Sequence, residues 1–577
     1  MNALDWLVLL GTMIGIAVYG LWQTRGRQNL THYLHGDTST GWLTIGLSVM
    51  ATQASAITFL SIPGQGYQDG LGFVQNYFGA PLALIIIAAV FLPIFRRLKV
   101  DTAYEYLGRR FDRKTRLLGA ALFLIQRGLG AGITIYAPAI VLSTVMGWRL
   151  DVTIVSTGLV VVAYTAVGGS KAVSLTQRYQ IAVIFAGMVT AFVVLVTRLP
   201  AGVTFTDALT IGGGLGKLEA VDFSIDPQRR YTMWSGLLGG MFLALAYFGT
   251  DQSQVQRYLA GASLRESRLG LMFNAVFKIP MQFFILLLGA LLFVFYQFER
   301  PPVFFNQTGW QLKADAASPA GEHLRALAAQ YATAHAEKQQ HIRAWIDARH
   351  SGDRATETTA RTAAQSAHAE SETIRDEARE LMSGEPGKKA NDADYVFITF
   401  ILGHLPHGVI GLLVAVFFAA TLSSKAGELN ALGSTTAVDF YRTIIHPDRR
   451  DAHYVSASRW LTAAWGFVAI GFALYANLVE NLIQAVNIVG SIFNGVVLGL
   501  FLVAFFLKRV GGNAVFWGAL AAQSLVLVVY FLRHLYPIFD FSYLWHNLIG
   551  CVACVLFSLM LHAFLGPRDP LEELPAA

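Results

Sequence analysis

The amino-acid sequence predicts an all-α membrane protein with about 13 transmembrane helices. The chain has 577 residues, of which 54% are hydrophobic and only 14% are charged, whereas a soluble domain carries about 25% charged residues. Apolar stretches of about 20 residues recur along most of the chain, and each is long enough to cross a bilayer. The net charge of +6 does not indicate nucleic-acid binding, because the basic residues lie in the loops between these stretches.

The apolar stretches form two groups on either side of one polar region. Transmembrane helices 1–8 are predicted within residues 1–298, and helices 9–13 with a short cytoplasmic tail within residues 395–577. The first stretch lacks a basic region before it and a cleavage pattern after it, so we interpret it as a retained helix rather than a signal peptide. The predicted spans cover residues 4–22, 40–62, 72–95, 117–146, 151–168, 179–198, 232–250, 269–297, 396–422, 456–478, 481–507, 513–533 and 543–565.

Basic residues are concentrated in alternate loops, and this asymmetry predicts the orientation of the helices. With the N-terminus outside, the cytoplasmic loops hold pairs such as Arg96 with Arg97 and Arg109 with Arg110, whereas the short outer loops hold few basic residues. The pattern follows the positive-inside rule. We therefore expect a multi-pass protein of the cell inner membrane with a periplasmic N-terminus and a cytoplasmic C-terminus.

Residues 299–394 interrupt the hydrophobic pattern. This segment is rich in Ala, Glu, Arg and Gln, as in "EHLRALAAQYATAHAEKQQHIRAWIDARH", and these residues are good helix formers. Ser351 and Gly352 interrupt it near its middle. We predict a helical hairpin on the periplasmic side, either an insertion without a transport role or a lid or partner-docking element.

The second to eleventh spans divide into two sets of five, and each set opens with a helix that contains polar residues. An odd number of spans inverts the second set relative to the first. Inverted repeats with interrupted helices at corresponding positions are typical of secondary transporters.

The first interrupted helix is the second span, which reads "SVMATQASAITFLSIPGQGYQDG". Gln53, Ser55 and Thr58 interrupt an apolar run that Pro63 and Gly64 are expected to end. Small residues here allow the helix to unwind and to present carbonyl oxygens, which a sodium ion takes as ligands. The alternative is close helix–helix packing through small residues.

The second interrupted helix is the ninth span, in which Thr421, Ser423 and Ser424 follow a purely apolar stretch. Serines in helices often donate to the carbonyl four residues earlier. The density of polar residues, which continues with Lys425 and Glu428, favours a functional site instead.

Charged residues inside the predicted spans form a third group. Arg127 lies near the membrane midplane, so it must pair with a charge or face water. It is predicted to bind a substrate carboxylate, to pair with a resident acid such as Asp251, or to extend toward the cytoplasm. Asp251 and Gln252 either bind substrate or form a solvated helix end, and Lys278 is expected to reach the membrane surface.

At these motifs the sequence resembles the sodium:solute symporter family, whose members have the LeuT-type inverted-repeat fold. The resemblance covers essentially all predicted spans, and the polar hairpin is additional. It depends on "ATQASAITFL", "YTAVGGSKAVS", "DQSQVQRYL" and "AATLSSKAGELNALGSTTAVDFY", which occur in family order. The resemblance implies a 5+5 inverted repeat with extra N- and C-terminal helices.

The resemblance also implies a sodium site and its stoichiometry. The site is formed by the backbone carbonyls of Ala51, Ala54 and Ala420 and by the hydroxyls of Ser423 and Ser424. Members with a second sodium site carry an aspartate where this chain has Gln177, and serines where it has Ala426 and Gly427. These departures imply one coupling sodium ion.

The resemblance implies sodium-coupled import of a small anionic organic solute by alternating access. Sugar-transporting members carry Gln and Glu at the positions of Thr58 and Tyr77, so the motifs are more similar to the monocarboxylate, iodide, multivitamin and sialic acid branches. The substrate is expected to contact Gln53, Ser55, Thr58, Asn76, Tyr77, Arg127, Asp251 and Gln252.

The expected partners are the solute and the lipid bilayer, with no nucleic acid and no obligate protein partner. Proton coupling, a neutral solute such as a sugar, a transporter-derived sensor and a channel stay open as alternatives. An enzyme is disfavoured because the sequence contains no nucleophile–base or metal-ligand constellation.

Overall fold

The computed structural model describes residues 1–23, 41–53, 55–98, 102–259, 261–475, 480–533 and 535–565, and their regular structure is helical. The first part of the chain forms α1 (Ala3–Gln23), α2 (Trp42–Gln53), α3 (Ala56–Asp69), α4 (Ala80–Ile86), α5 (Leu92–Leu98), α6 (Ala103–Arg110), α7 (Arg113–Met146), α8 (Leu150–Thr197), α9 (Phe205–Gly214), α10 (Gly240–Gly249), α11 (Gln252–Leu259) and α12 (Leu264–Phe298). The second part forms α13 (Gln307–Ala314), α14 (Pro319–Ser351), α15 (Arg354–Ser383), α16 (Ala393–His404), α17 (Val409–Thr435), α18 (Asp451–Tyr475), α19 (Leu482–Phe506), α20 (Gly512–Leu532) and α21 (Tyr543–Leu565).

The apolar helices confirm the predicted class of the protein but not the number of spans. Among the described residues, nine helical segments are long and apolar enough to cross a membrane, and four shorter apolar helices accompany them. The predicted count of about 13 is therefore not confirmed. Three predicted spans, residues 4–22, 151–168 and 232–250, correspond to the shorter helices Ala3–Gly15, Leu150–Thr165 and Ser235–Gly249.

Two predicted spans, residues 151–168 and 179–198, are joined in the structure. They are the two ends of α8, a single helix of 48 residues. No proline interrupts Leu150–Thr197, so every residue after the first turn has an N–H group for the helical ladder. The polar sequence between the two apolar ends, which we expected to be a loop, is helical.

The predicted span at residues 396–422 is divided. α16 ends at His404, and α17 begins at Val409 and continues beyond the predicted limit. Pro406 has no N–H group to donate, and Gly408 has a φ of +87°, a conformation that favours glycine. The helix that carries Ser424 therefore begins 13 residues later than predicted.

The predicted interruption of the second span is present in the structure. α2 ends at Gln53 and α3 begins at Ala56, while Ser55 between them has an extended backbone with φ −76° and ψ 177°. The expectation that the helix ends near Pro63 and Gly64 was wrong, because α3 continues to Asp69. α3 packs there against α12 through glycine, since a Cβ added at Gly289 would lie 2.1 Å from the Pro63 carbonyl oxygen.

The interrupted pair α2 and α3 lies inside the bundle. Both helices pack against α12, and both also contact α17. α17 in turn packs against α8, α18 and α1. Buried aliphatic and aromatic side chains fill the spaces between these helices in two large clusters. The backbone interruption is thus shielded by helices on both sides.

The polar region forms the predicted hairpin, made by α14 and α15. α14 ends at Ser351, and Gly352 follows with a left-handed φ of +76°. The two helices run antiparallel, because His323 contacts Glu377 at one end and Arg349 contacts Glu357 at the other.

The hairpin packs closely on one end of the bundle, which we call the hairpin end. Trp345 of α14 lies against Gly214 of α9, and His350 contacts Asp207 at 3.1 Å. His335 Nε2 lies 2.8 Å from the Tyr296 carbonyl oxygen of α12. The hairpin is therefore docked on the bundle along its length.

We expect docking of the hairpin to weaken as the pH falls from about 6.5 to about 5. Burial, together with nearby Lys338, lowers the pKa of both His335 and His368 from 6.5 to about 4. Between those values the unfolded chain binds protons that the docked hairpin excludes, so stability present at pH 7 is lost on acidification. The measurement is the melting temperature of the purified protein from pH 7 to pH 5.

The matched variant is His335→Gln, whose amide can still donate to Tyr296 but does not titrate. It should reduce the acid-induced fall in melting temperature by roughly 2 °C or more. An unchanged pH profile in this variant would remove His335 from the explanation.

Candidate functional site

A cavity of about 130 Å³ lies beside the interruption between α2 and α3. Six of the eight residues predicted to contact substrate line it. The cavity is also closed by side chains from α7, α10, α12, α17 and α19. The six predicted residues are Gln53, Ser55, Thr58, Asn76, Tyr77 and Arg127.

The interruption is stabilised by side-chain hydrogen bonds to carbonyls that helical partners leave free. The Thr58 hydroxyl donates to the Gln53 carbonyl at 2.8 Å. From α17, the buried Ser424 hydroxyl donates to the Thr52 carbonyl at 3.3 Å. Carbonyl and hydroxyl oxygens therefore meet where α2 ends against α17, and these are the ligands that sodium prefers.

The residues assigned to the sodium site are partly described. Ala51, Ala420 and Ser424 are buried on α2 and α17, the two helices that the Ser424–Thr52 hydrogen bond joins. Ala54 and the side chain of Ser423 lie outside the described residues. The structure thus brings together the two helices of the predicted site, and the site itself stays a prediction.

Arg127 lines the cavity but is already paired within the protein. Its guanidinium forms an ion pair with Asp251 and lies 3.6 Å from a carboxylate oxygen of Glu428. The face of the Tyr247 ring lies 5.2 Å from the guanidinium carbon. Arg127 and Asp251 are each only 3% exposed. Of the three interpretations of Arg127, the structure supports pairing with a resident acid.

Asp251 and Gln252 lie outside the cavity wall. Asp251 binds Arg127 and also accepts hydrogen bonds from the backbone and hydroxyl of Ser253, in the first turn of α11. The Gln252 side-chain oxygen accepts from the backbone N–H of Ala103 at 3.0 Å. Both side chains are buried, so they form neither a solvated helix end nor a direct part of the cavity. They connect α11 to α7 and to α6.

Lys278 differs most from its predicted position. Instead of reaching the membrane surface, it is 6% exposed and lines the cavity, with Nζ 5.1 Å from the centre of the Tyr77 ring. The negative face of an aromatic ring attracts a cation in this geometry. No carboxylate of the described residues lies within 4 Å of Nζ, whereas Lys425 is paired with Glu428. Lys278 is a cation of the cavity wall without an acidic partner in the described part of the chain.

Several polar residues of the cavity wall were not among the predicted contacts. They include Thr52, Gln126, Thr134, Glu428, Asn487 and Asn494. Asn487 and Asn494 are seven residues apart on an apolar helix, which puts them on one face. That spacing was a visible signal. Gln126 and Thr134 had no such signal, because other polar residues of α7, such as Thr115 and Ser143, do not line the cavity.

The arrangement suits binding and release better than bond-breaking chemistry. The end of α2 offers carbonyl oxygens at Thr52 and Gln53, and α12 offers the Lys278 ammonium. Tyr77, Asn76 and Asn487 provide a ring face and amides between them. The cavity wall therefore offers groups that suit a small anion, and the end of α2 offers groups that suit a cation.

Known proteins resemble this chain in sequence and in fold. The sodium:solute symporter family model matches residues 33–306 and 383–522, and the residues between these ranges, most of the hairpin, lie outside the match. The chain is 34% identical to the Homo sapiens sodium/iodide cotransporter over 290 residues, which are 50% of this chain and 44% of that protein. It is 28% identical to the Mus musculus sodium-coupled monocarboxylate transporter 1 over 545 residues, which are 92% of this chain and 74% of that protein.

A third relative and one solved structure extend the comparison. The Oryctolagus cuniculus sodium-dependent multivitamin transporter is 27% identical over 504 residues, which are 86% of this chain and 65% of that protein. The chain therefore spans less than two thirds of the length of two of these three relatives. A Na⁺-coupled sialic acid symporter in its substrate-bound outward-open state has a TM-score of 0.73 at 21% identity, covering 99% of this chain and 100% of that chain. This similarity shows a common transporter fold.

We expect Arg127→Gln and Asp251→Asn each to lower the free energy of unfolding by about 3 kcal/mol, because each leaves a buried charge without its main partner. The double variant should lose less free energy of unfolding than the two single variants lose together, since it removes both charges. The measurement is a double-mutant cycle on the purified protein. The matched control is the exposed pair Arg149 and Asp151, whose cycle should give less than about 1 kcal/mol. Additive losses at Arg127 and Asp251 would contradict the pairing.

Proposed function

Because the chain belongs to the sodium:solute symporter family, we propose that it is a sodium-coupled secondary active transporter that imports a small anionic organic solute by alternating access. The family consists of membrane transporters rather than enzymes. We choose an anion because Lys278 lines the cavity and has no acidic partner in the described residues.

Sodium is the co-transported ion in this proposal. Its ligands are the carbonyl oxygens of Ala51, Ala54 and Ala420 and the hydroxyls of Ser423 and Ser424. The support is local: the Ser424 hydroxyl reaches the end of α2 and bonds a carbonyl there. An ion bound between α2 and α17 stabilises the arrangement that forms the cavity, and the solute then binds beside it.

One sodium ion accompanies each solute in this proposal. Gly427 is one of the positions at which relatives with a second sodium site carry serine. A Cβ at Gly427 would lie 2.3 Å from a terminal nitrogen of the Arg257 guanidinium. A permanently charged guanidinium beside this position opposes a second cation there.

The solute is anionic because the cavity holds one cation without an acidic partner in the described residues. Arg127 and Lys425 are compensated by Asp251 and Glu428. The Lys278 ammonium lies over the ring of Tyr77, and no carboxylate of the described residues lies within 4 Å of it. An isolated charge in a low-dielectric cavity is costly, and an entering carboxylate offsets that cost. Gln53, Ser55, Thr58, Asn76 and Tyr77 would surround the rest of the solute.

Coupling follows from the position of the two binding sites. Sodium and solute share the wall formed by α2, α3 and α17, so each ligand favours the same conformation of that wall. Linkage then requires that each raises the affinity for the other. We place the protein in the cell inner membrane with the hairpin and N-terminus in the periplasm, as the distribution of basic residues predicts.

Ser424→Ala should raise the sodium concentration for half-maximal thermal stabilisation about tenfold, because it removes one hydroxyl ligand. The measurement is the melting temperature of the purified protein titrated with sodium chloride, with potassium chloride holding ionic strength constant. The matched control is Ser434→Ala. Ser434 is also buried on α17, but its hydroxyl bonds the Ala431 carbonyl of its own helix at 3.1 Å. A wild-type sodium titration in Ser424→Ala would contradict this site.

Lys278→Met should weaken binding of small carboxylates by about 10- to 100-fold, because a charge-assisted hydrogen bond is lost. The measurement is sodium-dependent thermal stabilisation by lactate and benzoate, compared with the neutral amides of the same shape. Lys278→Arg should retain selectivity for the carboxylates, and Lys508→Met, at an exposed lysine, should bind like the wild type.

Equal stabilisation by the acids and their amides in the wild type would overturn the anionic assignment. Stabilisation that follows pH and is independent of sodium would favour proton coupling instead.

A further inference from the structure

The hairpin is anchored to the bundle by a buried ion network centred on Asp392. Arg375 and Arg379 of α15 lie 3.3 Å and 3.2 Å from its two carboxylate oxygens. The backbone N–H of Phe305 donates to the same carboxylate at 2.7 Å. Arg375 and Asp392 are each 1% exposed. Buried groups with this many partners fix the position of the chain around them.

Asp392 directly precedes α16, whose first turn carries Asp394. The Asp394 carboxylate accepts a hydrogen bond from the backbone N–H of Leu482, at the beginning of α19, at 3.1 Å. It also bonds the hydroxyl of Ser61 on α3. Because Asp392 and Asp394 are two residues apart, the anchor of the hairpin sets the position of the carboxylate that joins α3 to α19.

Further contacts connect the same two helices at the hairpin end. The Ser61 hydroxyl accepts from the backbone N–H of Ile483 at 3.2 Å, and Gln65 bonds the side chain of Asn481. Ile483 lines the cavity, and so does Thr58, three residues before Ser61. These contacts therefore lie about one helical turn from the cavity wall and hold α3 against α19 at the hairpin end.

The hairpin also contacts α3 without an intermediary. Arg375 Nη1 lies 3.4 Å from the Tyr67 hydroxyl, and its guanidinium carbon lies 5.8 Å from the centre of the same ring. A Cβ at Gly64 would lie 2.0 Å from the Ala393 carbonyl oxygen. No room is left between α3 and the start of α16, so a shift of one requires a shift of the other.

We propose that the hairpin of α14 and α15 is a latch that stabilises the conformation closed at the hairpin end. Arg375 and Arg379 hold Asp392, which holds Asp394 between Ser61 and Leu482, and so α3 stays against α19. A contact shifts a conformational equilibrium only when one state makes it and the other does not. Opening of the cavity at the hairpin end separates α3 from α19, and the Asp394 bridge is then lost. The effect of the latch on transport rests on the alternating access proposed above. The contacts that form the latch do not rest on it.

The test is hydrogen exchange of the amides at residues 481–483 in the purified protein without sodium or solute. Asp392→Asn should speed this exchange about tenfold, because the carboxylamide no longer pairs with both arginines. The matched control is Asp376→Asn. Asp376 also pairs with Arg379, at 3.3 Å, and with Lys389, at 2.9 Å, but it lies on α15 and makes no bridge to α16. Hydrogen exchange at residues 481–483 in the Asp376→Asn variant should equal that in the wild type.

A second variant separates a latch from a general loss of stability. Asp394→Ala removes the acceptor oxygens of the bridge, so adding Asp392→Asn to it should give little further increase in exchange. Should Asp392→Asn fail to fold, Arg379→Gln is the milder variant, since the pair between Arg375 and Asp392 persists.

Two results would overturn the proposal: faster exchange in the hairpin with unchanged exchange at residues 481–483, or additive effects of the two substitutions. Both measurements omit the ligands, so failure of sodium coupling or of anion binding would leave them unaffected.

Discussion

The structure depends on one constraint. Where the backbone leaves helical geometry inside a hydrophobic bundle, its N–H and C=O groups must still find hydrogen-bond partners. Between α2 and α3 the chain is extended at Ser55, and carbonyl groups lose their helical donors there. In a bilayer such groups must find partners within the protein or line an aqueous cavity. Ser424 and Thr58 supply two hydroxyl donors, and the cavity takes the remaining space. Packing of α12 and α17 on both sides follows from this requirement.

Charge pairing determines what the cavity can bind. Four of the buried charged side chains around it form a compensated network of Arg127, Asp251, Lys425 and Glu428. This network fixes the relative positions of α7, α11 and α17 and leaves no excess charge. Lys278 of α12 has no carboxylate of the described residues within 4 Å and lies outside that network. An anionic ligand is therefore attracted to Lys278, while the oxygen atoms at the end of α2 suit a cation.

Charge pairing also determines how the hairpin is held at one end of the bundle. Its own contacts are mostly between side chains of α14 and α15, yet its firmest anchor, Asp392, lies in the chain that leads into α16. An insertion outside the family match is thereby tied to helices that line the cavity. The hairpin adds to a transporter core an element that acts on the closure of that core.

The sequence by itself determined the class of the protein, the interruption at Ser55, the hairpin and its turn at Gly352, and six of the cavity-lining residues. These features are local: hydropathy, helix-breaking residues and polar positions within an apolar run are read from neighbouring residues.

Only the tertiary structure decided which charges are paired. Arg127 and Asp251 are 124 positions apart, so the sequence left their pairing as one of three interpretations of Arg127, and it placed Lys278 at the membrane surface rather than in the cavity wall. Two other features could not be predicted from the sequence: the joining of two predicted spans in α8, and the bridge from Asp394 to Leu482. Pairing, burial and closure depend on packing between distant segments, because the partner that compensates a charge is chosen by the fold and not by the sequence around it.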